Sequence, residues 1–313
     1  MAIDSERGDD MKTVAIANMK GGVGKSTSAM MLADVLSHVY EQKVLLVDCD
    51  PQANLSQMIL SFSGLKNAKA AGQTITSWVV GTGTGPQVAQ PAAARVECTQ
   101  TITSNISGLD SLRLDNRKRK AGQLSIWAST PELRFAELAF DHLYFEAGDN
   151  QSPRRSMSNM LKGALASVNQ HYDVVIFDCP PGFSTLAQAA FMQSDLILSP
   201  LNVDRVSLWS LMSFWKQGLE EILTLGSTPK HAFLTMVQSG RGAEREKIQV
   251  RSDLRDFAEK SVLKTEIPYS VQALRFVRRP TLTSFDTFNR KYGSIRQSVK
   301  EFGAEVHSIL SSL

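Results

Sequence analysis

Short continuous apolar runs, each closed by a polar or glycine-rich stretch, set the rhythm of this 313-residue chain. Val14-Ala-Ile-Ala17, Val44-Leu-Leu-Val47, Leu124-Ser-Ile-Trp-Ala128, Val174-Val-Ile-Phe177, Leu196-Ile-Leu198 and Ala232–Val237 are the runs. β-prone runs of this length with no polar alternation predict strands covered on both faces. The first strand is placed at Lys12–Asn18, and a shorter one at Thr265–Ile267. Between them, apolar residues at helical spacing predict helices over Thr27–Val39, Pro131 to about Phe145, Arg154–Asn169, Val206–Leu225, Ala243–Lys260 and from about Tyr292 to the end. Alternating strand and helix predicts an α/β fold: a mostly parallel sheet covered by helices on both faces. Residues 63–120 break the rhythm. Gly81-Thr-Gly-Thr-Gly-Pro86, Pro91-Ala-Ala-Ala94 and the basic run Arg117-Lys-Arg-Lys120 have loop composition. The expectation is one domain, 1–313, with a loop-rich insertion at about 63–120 and a polar lead-in over residues 1–11.

Composition narrows the class only modestly. Apolar content of 42% and charged content of 21% are those of an ordinary globular protein. No apolar run approaches the roughly 20 residues of a membrane helix. The acidic start (Asp4, Glu6, Asp9, Asp10) does not resemble a secretory leader. Three cysteines without a CxxC pair point to a reducing, cytoplasmic setting. The net charge of +3 is unevenly spread: residues 238–300 carry fourteen Lys/Arg against seven Asp/Glu. A basic C-terminal third is compatible with nucleic acid or an acidic partner, and equally with solvated helices.

The chemistry lies at the ends of the strands. Lys20-Gly21-Gly22-Val23-Gly24-Lys25-Ser26-Thr27 follows the first strand and opens the first helix. Consecutive glycines let backbone N–H groups turn toward a phosphate, and the helix start adds its positive dipole end. Lys25 then reaches the β- and γ-phosphates, and the Ser26 hydroxyl is placed for Mg²⁺. Lys20 is a second cation where an ordinary phosphate loop needs one. The octet resembles the deviant phosphate loop of the ParA/MinD family of ATPases. That resemblance implies the P-loop NTPase (deviant Walker A) fold, with ATP and Mg²⁺ as cofactors. It also implies that Lys20 crosses a dimer interface to the nucleotide of the partner subunit.

Carboxylates complete the motif. Asp48-Cys-Asp-Pro-Gln-Ala-Asn54 at the second strand end resembles the family's first switch, VDxDPQxN. The resemblance implies that Asp50 positions or activates the hydrolytic water and that Asp48 lies near the magnesium and its waters. Val174–Asp178 has the form of a Walker B strand, and Asp178-Cys-Pro-Pro181 resembles the second switch, DxPP. Magnesium is thereby expected at Ser26, Asp50 and Asp178. Further matches are Pro131-Glu-Leu133, Pro200-Leu201, Leu234-Thr-Met236 and Ile267-Pro268. In the family the last of these helps to enclose the adenine, which places the base near Met236–Gln238 and Pro268–Val271.

One departure matters. The family usually has IPRNVR where this chain reads Ile267-Pro-Tyr-Ser-Val-Gln272. Tyr269 and Gln272 stand where two arginines used against DNA would be, although Arg275, Arg278 and Arg279 lie just beyond. Lys247, Arg251 and Arg255, four apart, form one stripe on a helix. The stripe fits either backbone phosphates or a solvated face paired with Glu244, Asp253 and Asp256. The resemblance implies an ATP-dependent homodimer that hydrolyses ATP slowly, binds DNA non-specifically, associates with the nucleoid and positions a cargo. A ParB-like or cargo-bound protein would stimulate hydrolysis. The alternative is a MinD-like membrane-cycling ATPase. Against it, the tail face of Ile295, Val299, Phe302, Val306 and Ile309–Leu310 has no Lys or Arg after Lys300, so core packing is expected of it. An electron-transfer ATPase like the nitrogenase iron protein is disfavoured by the spacing of Cys49, Cys98 and Cys179.

Overall fold

The computed structural model describes residues 11–82, 100–102, 124–146, 152–258, 261–271 and 288–313. Seven strands form one sheet: β1 (Lys12–Ile16), β2 (Val44–Asp48), β3 (Gln100–Ile102), β4 (Leu124–Trp127), β5 (Val174–Asp178), β6 (Leu196–Asn202) and β7 (Lys230–Thr235). Their order across the sheet is β3-β4-β2-β5-β1-β6-β7. Six strands run parallel, and the short β3 pairs antiparallel at the edge through Thr101 and Ser125. This is the α/β arrangement that the strand–helix alternation predicted, and it is the P-loop NTPase fold that the resemblance implied.

Alternate residues of each strand feed two different cores, because successive side chains point to opposite faces. Val14, Ile16, Leu46, Ile176 and Leu198 join α1 (Lys25–His38) and the C-terminal helices α9 (Phe288–Tyr292) and α10 (Arg296–Leu310) on one face. Ala15, Val47, Phe177, Ile197 and Leu234 meet the other helices across the sheet. These include α3 (Ile75–Thr82), α4 (Leu133–Glu146), α5 (Pro153–Val168), α6 (Thr185–Met192) and α7 (Arg205–Ser213). The apolar runs are thus two interleaved faces, and both are dry. On the first face α10 lies so close to α1 that a Cβ on Gly303 would fall 2.3 Å from Val35 Cγ1. Asp34 of α1, almost fully buried, accepts hydrogen bonds from Lys291 and Tyr292, tying α9 to the helix that follows the phosphate loop. Val299, Phe302, Val306 and Leu310 are all buried here. The apolar face of the tail is core, as expected, and it is not free to meet a lipid surface.

The structure departs from the sequence reading at five places. Residues 63–70 are not loop: they complete α2 (Asn54–Ala70), and α3 follows at once. The helix α6 stands where none was placed. The predicted Val206–Leu225 helix divides, with α7 passing into a π-helical stretch, Phe214–Ile222, before Leu223. The predicted Ala243–Lys260 helix begins earlier, as α8 (Arg241–Ala258). No strand forms at Thr265–Ile267; isolated bridges at Val262 and Pro268 hold that segment beside β7. Cys98, Arg117–Lys120, Gln272, Arg275, Arg278 and Arg279 lie outside the described residues. Among the described residues no helix is long and apolar enough to cross a membrane.

Candidate nucleotide site at the strand ends

The parallel register brings the site together. Ile16, the last residue of β1, pairs with Asp178 on β5, and Asp178 pairs with Asp48 on β2. The phosphate loop, both switch segments and their carboxylates therefore leave one edge of the sheet side by side, where ligands of open α/β sheets collect. Lys20–Thr27 turns tightly over this edge. Gly22 (φ 73°) and Gly24 (φ 87°) take left-handed conformations that a side chain would resist. Gly24 caps α1, whose first turn contains no acidic residue and no side-chain cap, leaving its N–H groups free for an anion. Thr235 Oγ1 donates to the Val23 carbonyl at 2.8 Å and pins the loop to β7.

Lys25 is 7% exposed and its Nζ donates to the Lys20 carbonyl at 3.1 Å. Burial pulls its pKa down, against the opposing pull of Asp178 and Asp50. Asp178 is fully buried, and neither carboxylate oxygen has a hydrogen-bond partner among the described residues. Burial, and then the charge of Asp48, push its pKa well above the carboxylate range. The nearby Ser26 hydroxyl favours the charged form without reaching hydrogen-bond geometry. Two orphaned oxygens beside a serine hydroxyl fit a hard divalent cation, which prefers oxygen donors and would relieve the crowding of negative charge.

Asp48 and Asp50 play different parts. Asp48 Oδ1 accepts from the Asp50 N–H at 3.1 Å, and its Oδ2 accepts from the Ser56 N–H at 2.8 Å and Ser56 Oγ at 2.6 Å. Burial still raises its pKa to about 7. Every oxygen of Asp48 is thus occupied in shaping the switch. Ser56 extends the network by accepting from the Ser129 N–H at 2.8 Å. Asp50, 7% exposed, accepts only the Gln52 N–H at 2.9 Å through Oδ1. Ala53 next to it is held at φ 53°, an uncommon conformation for alanine. The second oxygen of Asp50 has no hydrogen-bond partner among the described residues.

Beside the phosphate loop is a narrow, mostly apolar cleft. Gly24, Thr27, Met31, Met236, Ile267, Pro268 and Tyr269 line it. Met236 is held at φ 53° with its Cε 3.4 Å from where a Gly24 Cβ would be. Its apolar lining, between a methionine pair and a proline–tyrosine edge, suits the face of a planar heteroaromatic base.

Three comparisons bear on this geometry. Residues 11–223 match the family model described as AAA domain. The sporulation initiation inhibitor Soj of Bacillus subtilis is 27% identical over 272 residues, covering 83% of this chain and 85% of that one. The chromosome partitioning protein ParA of Myxococcus xanthus is 27% identical, covering 83% and 76%. The chain belongs to the ParA/MinD family of partition ATPases. Solved structures agree at the level of the fold. Cyanothece McdA in its apo form superposes with a TM-score of 0.67 at 17% identity, over 95% of this chain and 99% of that one. A plasmid partition protein of Borrelia burgdorferi bound to AMPPNP gives 0.59 at 19%, over 97% and 100%.

Within this ParA-type frame, Lys20 is placed apart from Lys25. Its Nζ donates to both oxygens of Asp204 at 3.1 Å and to Ser207 Oγ at 2.7 Å. Asp204 also caps α7 by accepting from the Ser207 N–H at 2.7 Å. Burial raises the Asp204 pKa, but Ser207 and Lys20 outweigh it, and the net shift is downward. The Lys20 charge is thus turned away from its own phosphate loop, toward the surface of α7. Sequence reasoning missed Asp204, though Asp204-Arg-Val-Ser207 is a legible helix-cap pattern. It also missed Ser56, whose role depends on a contact across 73 residues.

The basic stripe resolves as well. Lys247 pairs with Glu244 at 2.9 Å and Glu266 at 3.4 Å, and Arg251 pairs with Glu266 at 2.7 Å. Glu266 was not among the partners expected. Arg255 is exposed.

Proposed function

We propose that this chain is an ATPase that dimerises on ATP, binds DNA without sequence preference, and positions or segregates a cargo. A ParB-like or cargo-bound protein would stimulate its hydrolysis. The observation that carries this reading is the division of labour between the two lysines. Lys25 is buried beside the carboxylates, whereas Lys20 is half-buried and paired with Asp204, and it can serve a second subunit once it leaves that carboxylate. Lys25 and the N–H groups of Gly22–Thr27 hold the phosphates, and the cavity from Met31 to Tyr269 takes the base. Ser26 and Asp178 would hold Mg²⁺, with Asp50 near its waters; the metal supplies neutralising charge on the phosphate oxygens. Asp50 accepts a hydrogen bond from the attacking water and orients it. Membership of the Soj and ParA group supports the partition role. The buried tail face removes the main support for a membrane-cycling alternative.

The test is retention on non-specific duplex DNA with ATP, with ADP and without nucleotide, over a series of salt concentrations. Retention with ATP alone, weakening steeply with salt and lost in Lys20→Ala, is expected. No retention in any state, with ATP binding intact, would refute the DNA arm.

A further inference from the structure

Nine consecutive residues, Phe214–Ile222, are π-helical, well beyond the single-turn bulges in which this geometry is usually met. At its end the Leu223 N–H donates to the Gly218 carbonyl at 3.1 Å, one residue further back than in an α-helix. What presses on the stretch accounts for its width. A Cβ on Gly218 would lie 1.9 Å from Cζ of Phe183, so the tip of that ring occupies the place of the missing side chain. The Phe183 ring also meets Phe191 of α6 at 5.9 Å between centroids and Phe214 at 5.5 Å, and those two rings are 5.6 Å apart. Phe191, Phe214 and Gly218 thus form a socket, and Phe183 fills it. Phe183 is not ordinary core. It is half-buried and follows the second switch, five residues after Asp178. Pro180 and Pro181 fix φ over part of that distance, so they absorb little of any displacement at Asp178. Gly182, at φ 103°, then turns the chain so that the ring enters the socket. Gln188 Nε2 donates to the Phe183 carbonyl at 2.9 Å, and Ser184 caps α6 directly after it.

We propose that Phe183 is a positioning residue of the nucleotide site: its ring, seated against Gly218, ties the Asp178 strand end to the register of the π-helical stretch. The inference rests on Asp178 serving as the magnesium carboxylate, as proposed above, and adds the element that reads its state. A π-helix and an α-helix over the same residues differ by one residue in hydrogen-bond register, so the stretch is a two-state element. The seated ring favours the wide state, because Gly218 accommodates it there. Asp178 is buried with no hydrogen-bond partner for either oxygen among the described residues, and its strand end shifts when its charge is compensated. The prolines pass that shift to Phe183. As the ring withdraws, the socket empties and the stretch tightens toward α geometry. Trp215 lies inside the stretch and registers the change. It is buried, its indole N–H donates to Ser199 Oγ at 3.0 Å, and its ring is centred 6.0 Å from that of Phe257 on α8. The occupancy of the strand-end site is thereby delivered to α8, which shares no segment with either switch. A small displacement suffices, since packed elements change between discrete arrangements.

The test labels the full chain with 5-fluorotryptophan, so that each of the four tryptophans gives its own ¹⁹F resonance. Spectra are compared without nucleotide, with Mg²⁺ and ADP, and with a non-hydrolysable ATP analogue in the presence and absence of Mg²⁺. The Trp215 resonance, assigned through Trp215→Phe, is expected to move when the analogue binds with Mg²⁺, while those of Trp78 and Trp127 stay in place. Phe183→Ala should abolish that movement, keep analogue affinity within about twofold, and lower kcat about tenfold with KM nearly unchanged. Phe183→Leu, a milder change that still plugs the socket, should retain part of the movement. Gly218→Ala should destabilise the fold in urea, and most of that loss should vanish in the Phe183→Ala background, where the added methyl has room. A Trp215 resonance that still moves in Phe183→Ala would overturn the coupling. So would a wild-type resonance that never moves although the analogue binds with Mg²⁺, and either result leaves the nucleotide site standing. Analogue binding indifferent both to Mg²⁺ and to Asp178→Asn would remove the magnesium reading itself, and this inference with it.

Discussion

The charged residues of the strand ends and those of α8 obey opposite rules. At the strand ends Asp50 and Asp178 lie beside one buried lysine with Asp48 next to them, and both oxygens of Asp178 are without hydrogen-bond partners among the described residues. Along α8, Lys247 and Arg251 share Glu266, with Glu244 beside them, in geometry close to ideal. Burying charge without partners costs free energy that a fold tolerates only where something else compensates. Partly exposed charges that already have partners contribute little and ask for nothing more. The first region is therefore built for a ligand. The second is a self-satisfied surface, less suited to a row of phosphates than its sequence spacing implies.

Perturbing the strand ends should have the larger consequences. Asp50→Ala should lower ATP turnover by about 10²–10⁴-fold while leaving ATP affinity nearly intact, measured by steady-state hydrolysis and by fluorescent nucleotide binding. Equal loss of binding would show that Asp50 shapes the pocket and does not orient water. Lys25→Ala removes the buried cation and should weaken ATP binding by at least about tenfold in titration calorimetry. Lys291→Met, which leaves the buried Asp34 with Tyr292 as a neutral donor and no cation, should destabilise the fold by about 3 kcal/mol in urea unfolding, since a buried carboxylate without its counter-charge remains.

Smaller still is the pH response of the ligand-free protein. Asp48 and Asp178 have raised native pKa values, so between about pH 4 and 7 the native state binds more protons than the unfolded one. Stability should therefore fall as pH rises, by about 1 kcal/mol between pH 6 and 8 from Asp48 alone. Asp178→Asn should flatten the profile further, and a profile rising with pH would contradict the account. At the bottom of the scale, Lys247→Ala or Arg251→Ala should change stability by less than about 1 kcal/mol and retention on DNA by little. A large, salt-dependent loss of retention would mean that these cations abandon Glu266 for phosphate, and the contrast between the two regions would dissolve.

Much of the site was legible because its parts are local. Glycines at Gly22 and Gly24 answer a conformational need, and Asp48 and Asp178 each end an apolar run, with Asp50 two residues beyond the first. The runs themselves announced the parallel strands. The errors came where context decides. Residues 63–82 have a weak helical pattern, yet they fold as α2 and α3 because Leu55, Ile75 and Val79 find core partners. The small-residue helix α6 has no polar face to reveal its period. In the Lys247–Arg251–Arg255 stripe, sequence spacing located the face but not the Glu266 that covers it.

The chain by itself determined what short-range chemistry determines: which segments turn, which are dry, and which strand ends carry acid or base. These properties depend on φ preference, side-chain period and residue type within a few positions. Only the tertiary structure decided how the charges are used. Lys20 belongs to Asp204, 184 residues away, and Asp48 to Ser56 and the switch backbone. Asp178 has no hydrogen-bond partner among the described residues. Partnership between charges follows distance and burial, and both are set by packing the whole sheet.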